Sequence, residues 1–311
     1  MIINGVEIDD DESHELNPVK FPNKVKGRVA HIDADIIAYQ ASCQSNKVPE
    51  KSFNDMKYNA QLSIETITKM AGAEKHKLYL TSHTGNKGGR FDQAILKEYQ
   101  ANRKDRSNTP AMLYQMRDWM VQELSAISCE NCEADDAMAS AQYNAIKRKA
   151  DNKSIICTLD KDLMMVPGLH LNWNSGEIIK VKGFGKIWID DSKKQKKLKG
   201  YGTKFFWAQM LMGDTADNIS GLPGVEIDGK MKPVGVVATE LLLKHCKNDS
   251  EAFNVVGKLY QRYAASPGFM HWFEQAPRSF EQVFISEGQL LWMRRNKDDP
   301  MDFEKWLRKI K

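Results

Sequence analysis

Apolar residues fall into two kinds of run over the first part of the chain. Short continuous runs in GRVAHID (27–33), KLYLTSH (77–83) and SIICTLD (154–160) read as buried strands. Between them Met56, Ile64, Ile67 and Ala71 recur near helical spacing over 55–71, and further helices are expected over 112–127 and 134–149. Strands alternating with helices predict an α/β fold with a central, mainly parallel sheet. In such sheets, ligands bind beyond the carboxyl ends of the strands. Past Pro167 the pattern changes to a hairpin over 169–181 and then a lysine-rich segment, KKQKKLKGYG (193–202). From Phe205 onward it is mostly helical, broken by GDTADNISGLPG (213–224) and KMKPVG (230–235). This divides the chain into an α/β domain over 1–200 and a helical domain over 201–311.

Composition narrows the picture a little. Of 311 residues, 28% are charged, and no apolar run is long enough to span a membrane. The polar start lacks a signal-peptide pattern, and the five cysteines are odd in number and scattered, which argues against a disulfide framework and for a reducing, cytoplasmic setting. Cys129 and Cys132 form a C-x-x-C with no second pair at zinc-finger spacing. The net charge of +4 says less than where the charges stand.

The acids are placed more tellingly. Asp33 and Asp160 each end an expected strand, Glu133, Asp135 and Asp136 open a helix in CEADDAMASA, and Asp162, Asp214 and Asp217 stand on turns that follow. Any one of these is more often a helix cap or a solvated turn residue than a ligand. Together, on a scaffold that brings strand ends to one edge, they form an oxygen-rich cluster suited to hard divalent cations such as Mg2+ or Mn2+. Two such ions about 4 Å apart can serve phosphate-ester hydrolysis.

HIDAD, CEADDAMA, TLDKDL and MGDTADNISGLPGV, in this order, resemble the flap-endonuclease superfamily of 5′-nucleases, most closely bacteriophage 5′→3′ exonucleases, over about residues 28–245. The resemblance implies a PIN-like nuclease domain followed by a helical domain with a DNA-binding helix-hairpin-helix. It makes Asp33, Glu133, Asp135 and Asp160 ligands of a first Mg2+, with Asp136 reaching it through water, and Asp162, Asp214 and Asp217 ligands of a second. Asp35 is left without a role. YQANRK (99–104) resembles the family's gateway element, where Tyr99 would stack on a base and Arg103 would hold the scissile phosphate. Gln100 departs from the pattern, because the family has a lysine there; Lys104 and Lys97 are the candidates to replace its charge. No aspartate follows the second strand, in LTSHTGN (80–86), where the family has one.

Two further segments carry the expected DNA contacts. KEYQANRKDR (97–106) interleaves Lys97, Arg103, Lys104 and Arg106 with Tyr99, and the lysine run over 193–199 would attract phosphates by counterion release. SGLPGV (220–225), with Gly221 and Gly224, resembles the first half of a helix-hairpin-helix, with a K+ site in its loop. PVGVVATELL (233–242), with Gly235, would be the second half, after an insertion carrying Lys230 and Lys232. The implied activity is 5′→3′ exonuclease or flap-endonuclease cleavage of duplex, flapped or RNA-primed DNA by a monomer, in phage replication or recombination within the host cytoplasm. Two alternatives stay open. HIDAD and GDTADN also fit a haloacid-dehalogenase-type phosphatase, and the two departures fit a DNA-binding protein weakened in turnover.

Overall fold

Val29–Asp33 is a five-residue strand whose last four side chains are buried, and it lies at the middle of the sheet that organises the molecule. The computed structural model describes residues 2–3, 6–7, 21–44, 51–103, 109–192, 194–227 and 229–310. Two short strands, β1 (Ile2–Ile3) and β2 (Val6–Glu7), pair antiparallel at the start. The main sheet holds β3 (Val29–Asp33), β4 (Lys75–Thr81), β5 (Ile127–Cys129), β6 (Ser154–Cys157), β7 (Gly168–Asn172) and β8 (Glu177–Val181) in the order β5-β4-β3-β6-β7-β8. All neighbours are parallel except β7 and β8, which make the expected hairpin.

The chain builds outward from β3 to β5 and then returns to add β6 on the other side of β3. That reversal opens a crevice at the carboxyl ends of β3 and β6, the usual place for a ligand in such a sheet. Helices α1 (Ala34–Ser42), α2 (Phe53–Met70), α3 (Arg90–Gln93), α4 (Leu113–Leu124) and α5 (Ala134–Lys147) complete this part. Ser52 and Asp55 close a capping box on α2, which turns Met56, Ala60, Ile64 and Ile67 inward. The strand β5 falls at the end of what the sequence pattern assigns to a helix, because only one of its three residues is buried.

Beyond the main sheet, β9 (Lys186–Asp190) and β10 (Lys197–Tyr201) form a separate hairpin where a lysine-rich segment was expected. Leu198 packs inward and Lys199 pairs with Asp190 at 2.5 Å. Then comes α6 (Thr203–Met212), buried on nearly every face. It is followed by the hairpin of β11 (Val225–Ile227) and β12 (Lys230–Lys232), and by α7 (Val236–Leu243), α8 (Asp249–Ala265), α9 (Phe280–Leu291) and α10 (Asp302–Ile310). Phe206 and Trp207 on α6 meet Trp292, Phe303 and Trp306, and Trp292 stacks on Trp306 at 4.3 Å. The same core cluster contains Met138, Ala139 and Ile156, so apolar packing runs without interruption across residue 200. No helix among the described residues is long and apolar enough to cross a membrane.

One buried acid ties the helical part to the loop after α6. Glu287 on α9 accepts a hydrogen bond from the Gly221 amide at 2.7 Å and is almost wholly buried. Burial raises its carboxyl to about 8, against the opposing effects of the Gly221 amide and Lys97. A folded pKa above the unfolded one favours the folded state fully below the unfolded value, near 4.5, and that contribution is lost as pH rises through about 8. The melting temperature of Glu287→Gln, which keeps an acceptor for Gly221, is therefore expected to fall less than that of the parent chain between pH 5 and pH 8. Parallel Tm–pH curves for the two proteins would show that Glu287 is not the cause.

Candidate metal and nucleic-acid site

Four chain segments deliver acids to the crevice. Asp33 ends β3 and caps α1 by accepting from the Ile36 amide at 3.3 Å, while its other oxygen accepts from Thr158 Oγ1 at 2.9 Å. Glu133 and Asp135 open α5, and Asp160 and Asp162 follow β6, where the Asp162 amide donates to Asp160 at 2.8 Å. Asp214 and Asp217 come from the turn after α6, which an Asp214–Ile219 bridge closes. Glu133, Asp135, Asp160, Asp162, Asp214 and Asp217 thus line one cleft.

Burial and mutual repulsion dominate its electrostatics. Asp33 is raised to about 7, first by burial and then by Asp35. Asp135 is pushed well above the carboxylate range by burial and by Asp160, Asp33 and Glu133, and Asp162 by burial and Asp160. Asp160 and Glu133 are also raised, in each case by burial first. For Asp214 burial acts upward as well, but its hydrogen bond with Asp162 and the charge of Lys161 hold it below its ordinary value.

The protein's own cations offset part of this charge. Lys161 Nζ lies 3.0 Å from Asp162 and 3.2 Å from Asp214, and Gln209 Nε2 donates to Asp162 at 2.6 Å. Arg103 pairs with Asp217. Arg90, almost wholly buried, forks onto Asp136 at 2.7 and 3.0 Å, reaches Glu133 at 3.0 Å and donates to the Trp292 carbonyl. With these groups in place, no three Asp, Glu, His or Cys side chains among the described residues are grouped to close round an ion. The donor set is nonetheless all carboxylate oxygen, most of it raised above its ordinary pKa by burial and then by neighbouring carboxylates, and hard divalent cations match such oxygens.

Several expected residues take different places. Asp136 was expected to reach a metal through water. Instead its two oxygens accept from both ends of the Arg90 fork, the Glu133 amide at 3.3 Å and the Arg294 amide at 3.1 Å. Those four donors use a carboxylate's acceptor sites, so Asp136 serves to hold Arg90. Tyr99 was expected to stack on a base, yet it is only 2% exposed, with Oη donating to Glu133 at 3.0 Å. Its burial follows from docking of the 98–103 segment on the acidic turn. The Gln100 amide donates to the Asp217 carbonyl, Asn102 Nδ2 to Thr215 and Asn218 Nδ2 to Glu98, each at 2.8 Å. Lys97 is exposed, while Lys104 and Arg106 lie outside the described residues. The Gly221 amide is taken by Glu287, and Gly224 packs close against Lys232. Gly235 is exposed and caps α7, and Lys230 and Lys232 stand exposed on β12.

Sequence reasoning passed over Arg90, Lys161, Gln209 and Arg117. Arg117 pairs with Asp35 at 2.7 Å, and Asp35 also accepts from the Thr81 amide at 3.0 Å, which occupies the carboxylate that had no role. Arg90 had only a glycine-rich polar stretch, TGNKGGR, to announce it.

No family model matches the chain. A 5′-3′ exonuclease of Buchnera aphidicola subsp. Schizaphis graminum is 27% identical over 172 residues, covering 54% of this chain and 53% of that protein. The match therefore spans about half the length of this relative. Among solved structures, T5 5′-exonuclease with bound zinc ions aligns with 91% of this chain and 99% of its own, at a TM-score of 0.53 and 14% identity. The bacteriophage T5 flap endonuclease in a pseudo-enzyme–product complex with DNA and metal ions aligns at 0.50, over 91% and 97%, again at 14% identity. The structural likeness shows that the chain shares the fold of T5 5′-exonuclease, and the sequence likeness to a 5′-3′ exonuclease extends over about half of the chain.

Because Asp136 is fully buried, removing its partner leaves an uncompensated charge. Arg90→Met is expected to cost about 3–5 kcal/mol of stability in urea denaturation. Adding Asp136→Leu to the same chain should recover part of that loss. A cost below about 1 kcal/mol would mean that the Arg90 fork does not hold the carboxylate in solution.

Proposed function

We propose that the protein is a divalent-metal-dependent 5′-nuclease that hydrolyses phosphodiester bonds near the 5′ ends of duplex, flapped or RNA-primed DNA. The observation that carries this reading is the cleft in which six carboxylates from three segments meet at the sheet's switch point. The likeness to the Buchnera and T5 proteins supports the same class of substrate. Glu133, Asp135, Asp160 and Asp33 would hold one Mg2+ and Asp162, Asp214 and Asp217 a second, with Mn2+ able to replace either. When bound, the two ions supply positive charge that activates water and stabilises the attacking and leaving oxygens.

The chain's own groups have definable tasks around that centre. Thr158 and Gln209 fix the orientation of Asp33 and Asp162 through their hydrogen bonds. Arg90 tethers the start of α5 through Asp136 and Glu133, so both acids of the E-A-D-D turn keep their direction. Arg103 and Lys161 now neutralise Asp217, Asp162 and Asp214. Once those carboxylates find other cations, the guanidinium of Arg103 is free to take a phosphate in bidentate fashion. Exposed Lys230 and Lys232 and the amide end of α7 at Gly235 would face duplex backbone, and the 220–225 loop would hold K+. The protein acts as a monomer in the cytoplasm, in phage replication or recombination.

Cleavage of a labelled duplex with a recessed or flapped 5′ end, in Mg2+, Mn2+ or EDTA, tests this reading. Metal-dependent release of 5′-phosphorylated nucleotides is expected, and intact substrate in both metals would refute it. Asp135→Asn should reduce turnover by more than about 100-fold while leaving DNA affinity within a few-fold. An Asp135→Asn enzyme with parental turnover would remove Asp135 from the metal set.

A further inference from the structure

A second pocket adjoins the carboxylate cleft, and its wall includes Lys87, Phe91, Gln100, Tyr114 and Arg117, with Glu133 also lining it. Two of these residues stand out. Phe91 leaves 49% of its surface exposed in this polar setting, whereas Tyr99, edge-on to it with ring centroids 5.5 Å apart, is buried. The Nζ of Lys87 stands 5.4 Å from the Phe91 ring centre and also donates to Gln100 Oε1. Gln100 in turn donates to Tyr99 Oη at 3.2 Å and to Asp217 at 2.8 Å. The ammonium of Lys87 therefore comes from another chain segment to the place where residue 100 offers only an amide.

The backbone that holds Lys87 there is costly. Lys87, Gly88 and Gly89 have φ of 49°, 71° and 80°, three left-handed residues in succession, and Gln100 has 53°. Non-glycine residues adopt this region at a cost that the surrounding structure must offset, and such positions gather at binding sites. The surroundings are specific in this case. Arg294 donates to the Gly88 carbonyl, the Gly88 amide donates to Asn86 Oδ1 at 2.9 Å, and a Cβ on Gly88 would come within 2.6 Å of the Arg294 guanidinium.

We propose that Lys87 and Phe91 together grip the nucleotide beside the cleaved bond of a single-stranded 5′ segment, the ammonium taking its phosphate and the exposed ring stacking on its base. This rests on the nuclease reading for the substrate, but not on turnover. An aromatic face accepts any base, and an ammonium adds backbone charge recognition, so the pair suits single strands without regard to sequence. Tyr99, with its hydroxyl committed to Glu133, supports the pocket from behind.

The test is fluorescence anisotropy in EDTA with two labelled substrates, a duplex bearing a single-stranded 5′ flap and the same duplex made blunt. Lys87→Gln and Phe91→Ala should each lower flap-duplex affinity about tenfold and leave blunt-duplex affinity within twofold. Tyr58→Ala, which removes a still more exposed ring (65%) on α2, should change neither. Flap affinity within twofold of the parent in either variant, or an equal loss on both substrates, overturns the grip. In Mg2+, Gln100→Lys should restore turnover lost in Lys87→Gln and add nothing to the parent chain, where two ammonium groups would meet. Failure of that rescue overturns the assignment of Lys87's charge to position 100. A parent chain that binds flaps with this pattern but never cleaves would overturn the nuclease reading and leave the grip standing.

Discussion

Negative charge crowded into a cleft of low polarity is the constraint that orders this molecule. Like charges a few ångströms apart repel strongly where water is scarce. The fold answers with a cation or a hydrogen-bond donor at nearly every acid. Several of those partners come from a distant segment, so relief of repulsion there goes together with assembly of the tertiary structure. Arg90 joins the loop after β4 to the start of α5 and to the chain after α9. Lys161 joins the turn after β6 to the turn after α6. Arg103, Asn102 and Gln100 fasten the 98–103 segment onto that same turn.

The relief is incomplete, and the proposed metal binding rests on what is left. Asp33, Asp135, Asp160 and Asp162 all remain above their ordinary pKa values in the absence of further charge. A strand order that reverses between the parallel neighbours β3 and β6 sets these acids at a crevice, and the buried helix α6 brings Gln209 and the Asp214–Asp217 turn to its far wall. Asp136 shows the opposite design in the same four-residue motif. With every acceptor site filled, it is held below its ordinary value by the two arginines against its own burial, and it works as an anchor. Two neighbouring aspartates in one helical turn are thus separated in role by what reaches them.

How much of this the sequence revealed depends on whether the signal was local. The strands β3, β4 and β6 were legible because burial on both faces makes continuous apolar runs, and the acids that end them came with the strands. The strand β5 was not, since it is three residues long with two of them exposed. The hairpin of β9 and β10 was hidden by lysines, because its outward face is basic and only Leu198 of β10, with Ile187 and Ile189 of β9, packs inward. The acid set was visible as four short motifs, yet the partners of those acids were not. Asp136 meets Arg90 across 46 residues and the Arg294 amide across 158, and no spacing rule reaches so far. The burial of Tyr99 was concealed in the same way. An aromatic amid KEYQANRKDR reads as exposed until the segment is seen fastened to the turn over 214–218.

In this reading the residual charge of the cleft is what binds divalent cations. Anomalous diffraction from crystals grown in Mn2+ tests it most directly. One peak is expected among Asp33, Glu133, Asp135 and Asp160 and a second among Asp162, Asp214 and Asp217, with Lys161 and Arg103 moved off their present partners. A cleft with no peak at saturating Mn2+, and with both cations still closing it, would contradict the claim.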